Sequence, residues 1–189
     1  MASYAPTWLP VAFAGGDRGE WAIARQSAVR GEALADAAFM TMSIDDGAPQ
    51  TGPAAWRLRG VVSHLRYTTG READALGAVQ APLSRPQARS AALIPIRKSS
   101  AWWALPQDER RAIYEERSRH TSIGLAYLPQ IARRLHHSRD LGEPFDFLTW
   151  FEFDPAHAPQ FDELLSKLRA SEEWTYVDRE IDIRLERVA

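Results

Sequence analysis

The segment REIDIRLERV (residues 179–188) alternates apolar and charged side chains through its centre. Successive side chains of a strand point to opposite faces of the sheet, so Ile181, Ile183 and Leu185 face inward and Asp182, Arg184 and Glu186 outward. A chain with such a segment must build a sheet covered on at least one side. Two further segments repeat the pattern. FDFLTWFEF (145–153) puts Phe145, Phe147, Thr149, Phe151 and Phe153 on one face, and SAALIPIRK (90–98) does the same for Ala92, Ile94, Ile96 and Lys98. Helical stretches separate them. PQDERRAIYEERSRH (106–120) has Pro106 in its first turn and acidic residues near its N-terminus; AYLPQIARR (126–134) begins a second short helix, and RRLHHSRD (133–140) is extended. FDELLSKLRASEEW (161–174) is an amphipathic helix with Phe161, Leu164, Leu165 and Leu168 on one side.

The order β, α(α), β, β, α, β defines an α+β ferredoxin-like unit, an antiparallel sheet with helices on one face. The first half is less regular. PVAFAGG (10–16) reads as a short strand stopped by Gly15 and Gly16, WRLRGVVSHLRYTT (56–69) as a longer strand, and READALGAVQ (71–80) as a short helix. SIDDGAPQTGPA (43–54) is rich in turn formers and reads as a surface loop. We expect this half to be a shortened copy of the same unit, dividing the chain into residues 1–88 and 89–189. A fold of this kind does not by itself name a function.

Composition removes several classes of chemistry. The 189 residues contain no cysteine, which excludes disulfides, thiolate catalysis and cysteine-ligated metals. A net charge of −2 gives no electrostatic footprint for nucleic acid. The N-terminus, MASYAPTWLPVAFAGGDRGEW, lacks the basic region and apolar run of a signal peptide, and no stretch has the roughly 18 apolar residues of a membrane helix. The expectation is a cytoplasmic protein off the membrane. The five histidines are His64, His120, His136, His137 and His157, with no pair at the spacing of a helical zinc site. A lone histidine can still hold a haem iron, and His120 stands out, ending a helix before an apolar stretch; that position also suits a plain helix-end residue. Seven tryptophans suit either core filling or something flat and apolar to be held. Trp102 and Trp103 are adjacent, so neither a strand nor a helix lets both face one core.

Three long segments carry a resemblance: ALIPIRKSSAWWALPQDERRAIYEERSRH, YLPQIARRLHHSRDLGEPFDFLTWFEF and EEWTYVDREIDIRLERV, with FAGGDRGEW near the start. They resemble the chlorite dismutases, haem b enzymes, in their short-chain lineage, and the likeness is clearest from Trp56 to Val188. The resemblance implies a dimeric α+β barrel of ferredoxin-like units, assembled as a homodimer, with haem b and its iron as cofactor and chlorite as substrate, giving chloride and dioxygen. It makes His120 the proximal iron ligand and Glu173, in the EEW motif, the acceptor for its imidazole. Arg133, in the IAR segment, becomes the distal arginine; if strand alternation starts there, Arg134 faces solvent. Lys98 is expected at a haem propionate, with the Ile94 backbone nearby and Tyr67 as a further contact. Trp102 and Trp103 are expected at the porphyrin edge and the subunit contact, Gln80 on the distal side, and Leu135, Thr149 and Phe151 around the distal cavity. Coproheme decarboxylases share the fold and the proximal histidine but lack the distal arginine and use a tyrosine near the reacting propionate. Arg133 speaks against that alternative and Tyr67 keeps it open. A haem-binding or sensing protein is the third reading.

Overall fold

The computed structural model describes residues 10–45, 53–62 and 67–188, so His64 and most of the expected loop at 43–54 lie outside the described residues. Eight strands are present among them: β1 (Val11–Gly16), β2 (Trp21–Arg30), β3 (Phe39–Ile44), β4 (Trp56–Val62), β5 (Ser90–Lys98), β6 (Ala132–His137), β7 (Phe147–Phe153) and β8 (Val177–Arg187). All pair antiparallel and close a barrel in the order β1-β3-β2-β8-β5-β7-β6-β4. Closure leaves no open sheet edge. The two halves share one strand order: β8-β5-β7-β6 and β4-β1-β3-β2 each run fourth, first, third, second. Helices α2 (Ser100–Ala104), α3 (Gln107–Arg111), α4 (His120–Leu125) and α5 (Ala158–Arg169) belong to the second half, whereas α1 (Gly70–Val79) follows β4.

The barrel is filled from alternate strand positions. Phe13, Trp21, Met40, Leu58, Leu93, Trp150, Ile181, Ile183 and Leu185 meet inside it. Trp21 sets its ring edge-on to Trp150 at 5.3 Å between centroids. The outer face of β5 and β7 buries a second cluster against α5, in which Phe161, Leu164, Leu165 and Leu168 are the helix's contribution. Each such side chain adds roughly 1.5–3 kcal/mol on burial, so packing rather than intrinsic propensity holds α5 in place. No helix among the described residues is long and apolar enough to cross a membrane.

Several sequence expectations change here. β2 and β3 were not legible as strands. β1 ends at Gly16, as expected, and Gly15 is still paired within it, where the Trp56 ring of β4 occupies the space a Cβ would need, 2.2 Å away. Phe145 precedes β7 and joins the barrel interior instead of the outer face. Asp182 points out of the barrel as expected, yet it is buried, held by Arg169 of α5 and by Arg184. The helix expected over 106–120 breaks: α3 passes into a wide π-type turn at Ala112–Arg117, and Arg119 takes a left-handed conformation at φ 54°. His120 therefore starts α4 rather than ending a helix. No helix forms over 126–134; turns carry the chain past Pro129 into β6.

One interior group makes the fold sensitive to acid. His136 is buried edge-on against Phe13, with Nδ1 3.2 Å from the Leu148 carbonyl oxygen. Burial pushes its pKa down to about 4, against the pull of that carbonyl and with help from the Arg134 and His137 charges. The folded state thus keeps the ring neutral while the unfolded chain protonates it near pH 6.5. Stability is complete above that pH and is lost as pH falls towards 4, by roughly 2–3 kcal/mol between pH 7 and 4.5. Denaturant unfolding at the two pH values should show this slope, and His136→Gln should flatten it; an equal slope in both proteins would place the acid sensitivity elsewhere.

Candidate active site

A lateral cavity of about 610 Å³ lies between the outer face of the second-half sheet and the helices. Strand register builds one wall in rows: Arg133 beside Phe151 and Ala92, Leu135 beside Thr149 and Ile94, His137 beside Phe147 and Ile96. Leu164, Leu165 and Leu168 of α5 and Leu76 of α1 add apolar surface.

His120 faces this space from the start of α4. The Glu115 carboxylate caps that helix, accepting the Thr121 N–H at 2.6 Å and the Ser122 N–H at 3.2 Å. The imidazole lies against Tyr114, with centroids 4.5 Å apart and planes 23° from parallel, and its Nδ1 is 2.6 Å from Oε2 of Glu173. Glu173 is fixed in turn, its N–H donating to Ser118 Oγ at 2.8 Å and its Oε1 accepting from Lys98 Nζ at 2.8 Å. Burial alone would raise this carboxyl; the Lys98 and His120 charges outweigh it and hold Glu173 down to about 2. The arrangement fixes a carboxylate against Nδ1 and leaves Nε2 as the ring nitrogen for a ligand bond. Burial pushes Tyr114 up to about 12, so its hydroxyl stays neutral.

The expected residues separate into those that meet and those that do not. His120, Glu173, Lys98, Ile94, Trp102, Tyr67, Gln80, Arg133, Leu135, Thr149 and Phe151 all border the cavity. Lys98, expected at a propionate, has its ammonium enclosed by Glu173 and by the faces of Trp102 and Trp174, at 4.7 and 5.4 Å. Gln80 donates to the Arg133 carbonyl oxygen at 3.0 Å, and the Tyr67 hydroxyl accepts from Arg110 at 3.3 Å. Trp102 is fully buried at the cavity, its indole N–H without a partner among the described residues. Trp103 turns away, its Nε1 on Asp146 and its ring under the Arg139 guanidinium. Adjacent on a one-turn helix, the two indoles point into different surroundings. Arg133 shares its face with Leu135, and its guanidinium has no hydrogen-bond or ion-pair partner among the described residues. Arg134 is exposed on the opposite face, although its atoms also reach the cavity margin. Tyr114, Trp174, His137 and Phe147 also line the cavity but were missed. Trp174 sits inside the EEW motif itself, while Tyr114 reaches His120 only through the wide turn between them.

The fold and cavity define a class: an antiparallel α+β barrel with a lateral pocket, walled by a carboxylate-bound histidine and a guanidinium unpartnered among the described residues. Comparison with known proteins narrows it. The chlorite dismutase family profile matches residues 50–187, and the chain belongs to that family. A solved dimeric chlorite dismutase from Nitrobacter winogradskyi is 54% identical, covering 94% of this chain and 99% of that one with a TM-score of 0.88. The chlorite dismutase of Ideonella dechloratans is 32% identical over 97 residues, 50% of this chain and 33% of that protein's length. A chlorite dismutase from Candidatus Nitrospira defluvii, solved with imidazole, shares the fold at 22% identity and TM-score 0.65, over 96% of this chain and 92% of that one.

Proposed function

We propose that this chain is a haem b-dependent chlorite dismutase that converts chlorite to chloride and dioxygen. The observation that carries the reading is the cavity's pairing of a Glu173-bound His120 with an Arg133 unpartnered among the described residues, in a chain of this family. The residues present fit a haem. The cavity is wide and largely apolar, the buried Trp102 N–H lacks an acceptor that a propionate would supply, and one imidazole nitrogen remains for iron. His120 would hold the iron, with Trp102, Tyr67 and the Ile94 backbone towards the propionates. When bound, the haem supplies the iron at which chlorite gives up its oxygen and the O–O bond forms.

The chain's own residues do the rest. Glu173 accepts from Nδ1 of His120, which makes the ring a stronger donor and favours ferric iron. Lys98 compensates the buried Glu173 charge and limits how far it draws the His120 proton. A guanidinium is a cation and a very weak acid, so Arg133 attracts the chlorite anion without protonating it. It also holds the hypochlorite-level fragment until recombination, while Leu135, Thr149 and Phe151 keep water from the reacting atoms. Haem-loaded protein should release gas on an oxygen electrode when chlorite is added. Silence there, with iron coproporphyrin converted by peroxide to haem b and carbon dioxide instead, would make it a coproheme decarboxylase.

We also infer two ferredoxin-like units, residues 1–88 and 89–189, a reading the shared strand order supports. The relationship to a dimeric chlorite dismutase supports a homodimer, with Trp103 near the contact. Light scattering should give twice the 21.2 kDa chain mass; a monomer or a pentamer would contradict it.

A further inference from the structure

Lys98 is gripped at both ends. Its ammonium rests on Glu173, and its backbone N–H donates to Oδ2 of Asp146 at 2.6 Å. The need for the second grip arises in the sheet. Arg97 of β5 faces Arg179 of β8, but Lys98 faces Val177, so Asp178 is an extra residue in β8. Such a bulge disrupts the ladder and re-aims the side chains beside it, and a buried N–H released from a ladder needs another acceptor. Asp146 supplies that acceptor from a site only 4% exposed. The same oxygen accepts from Trp103 Nε1 at 3.2 Å and Oδ1 accepts from Arg139 at 3.4 Å. Its own backbone is tied on both sides, the N–H to the Ile96 carbonyl and the carbonyl to the Ser138 N–H, each at 2.9 Å. Two carboxylates thus hold one lysine, Asp146 by the backbone and Glu173 by the side chain.

We propose that Asp146 is a positioning residue of the site: it fixes the Lys98 backbone at the bulge, and so sets how firmly the Lys98 ammonium engages Glu173 and how Glu173 engages His120. The effect on iron rests on the haem reading above; the chain from Asp146 to His120 does not. The proposal also gives the second tryptophan of the pair a purpose, since Trp103 helps to hold the carboxylate that anchors Lys98.

Two readouts test it. In the cofactor-free chain, ¹⁵N shifts of the His120 ring report its bond to Glu173; in the haem-loaded chain, the Fe(III)/Fe(II) midpoint potential does. Asp146→Ala should move both in the direction that Lys98→Met moves them, by a smaller amount. Asp146→Asn, which keeps one acceptor oxygen, should restore most of the difference. In the double variant, Asp146→Ala should add nothing to Lys98→Met, because it acts through that residue. If the alanine variant does not fold, Asp146→Asn decides by the same comparison, with a small shift in the same direction. Additive shifts, shifts of opposite sign, or a lowered melting temperature with both readouts unmoved would overturn the proposal and leave Asp146 as structural support. A chain that takes up no haem refutes the haem reading, while the ¹⁵N comparison still decides this one.

Discussion

His120→Ala leaves a folded chain that no longer retains haem, or retains it without the five-coordinate ferric spectrum. The fold survives because the ring belongs to neither apolar cluster: barrel interior and α5 face both close without it. The helix that carries it is capped by Glu115, and backbone capping does not depend on the side chain at position 120. The loss at the cofactor is large because His120 offers an imidazole nitrogen in the cavity that is backed by a buried carboxylate. Losing even an outer partner of a ligating histidine typically costs ten- to a hundredfold in metal affinity, and losing the ligand costs more. Added imidazole should partly restore the ferric spectrum by occupying the space the ring leaves. Circular dichroism checks the fold and the haem absorbance checks retention; an unchanged spectrum in the variant would assign the ligand to another residue.

The second large effect separates two neighbouring arginines. Arg133→Ala should keep its haem but yield less oxygen per chlorite and bleach sooner, with more hypochlorite captured by a chlorinatable dye. A hydrogen bond to a charged group contributes roughly 1.5–3 kcal/mol, so retention of the fragment should weaken by about ten- to a hundredfold. Arg134→Ala should stay near the parent protein in all three measures. The register sets the two apart, Arg133 opposite Phe151 on the cavity face and Arg134 opposite Trp150, whose ring fills the barrel. Because atoms of Arg134 reach the cavity margin, the comparison is demanding. Equal leakage from both variants, or more from Arg134→Ala, would give the anion-holding role to the other guanidinium.

What the sequence made legible follows from where side chains meet clear boundaries. β8 and α5 divide a core face from a more polar one, and β5 and β7, buried on both faces, stand out as apolar runs. β2 was illegible for the opposite reason. Most of its later residues are exposed, and backbone pairing along β8 holds it rather than an apolar stripe. The break before His120 was hidden because PQDERRAIYEERSRH contains no glycine or internal proline at that point; the contacts that accompany it are the Glu115 cap on Thr121 and the long-range bond from Glu173 N–H to Ser118. The site residues were named largely through family motifs. Motifs convey identity but not partners within the chain, so the bond from the Lys98 ammonium to Glu173 was not legible.

The Lys98–Glu173 pair bears on how the protein is assembled. A lone buried carboxylate would destabilise the empty pocket, and breaking such a pair typically costs about 3–5 kcal/mol. Here the opposing charge comes from β5 of the same chain, so the balance of this carboxylate does not depend on a cofactor. On the haem reading, folding should then precede loading, unlike small metal domains that collapse only around their ion. The newly made chain would be a finished receptor, unfolding in one cooperative step in denaturant before any haem is supplied, and able to wait for its cofactor.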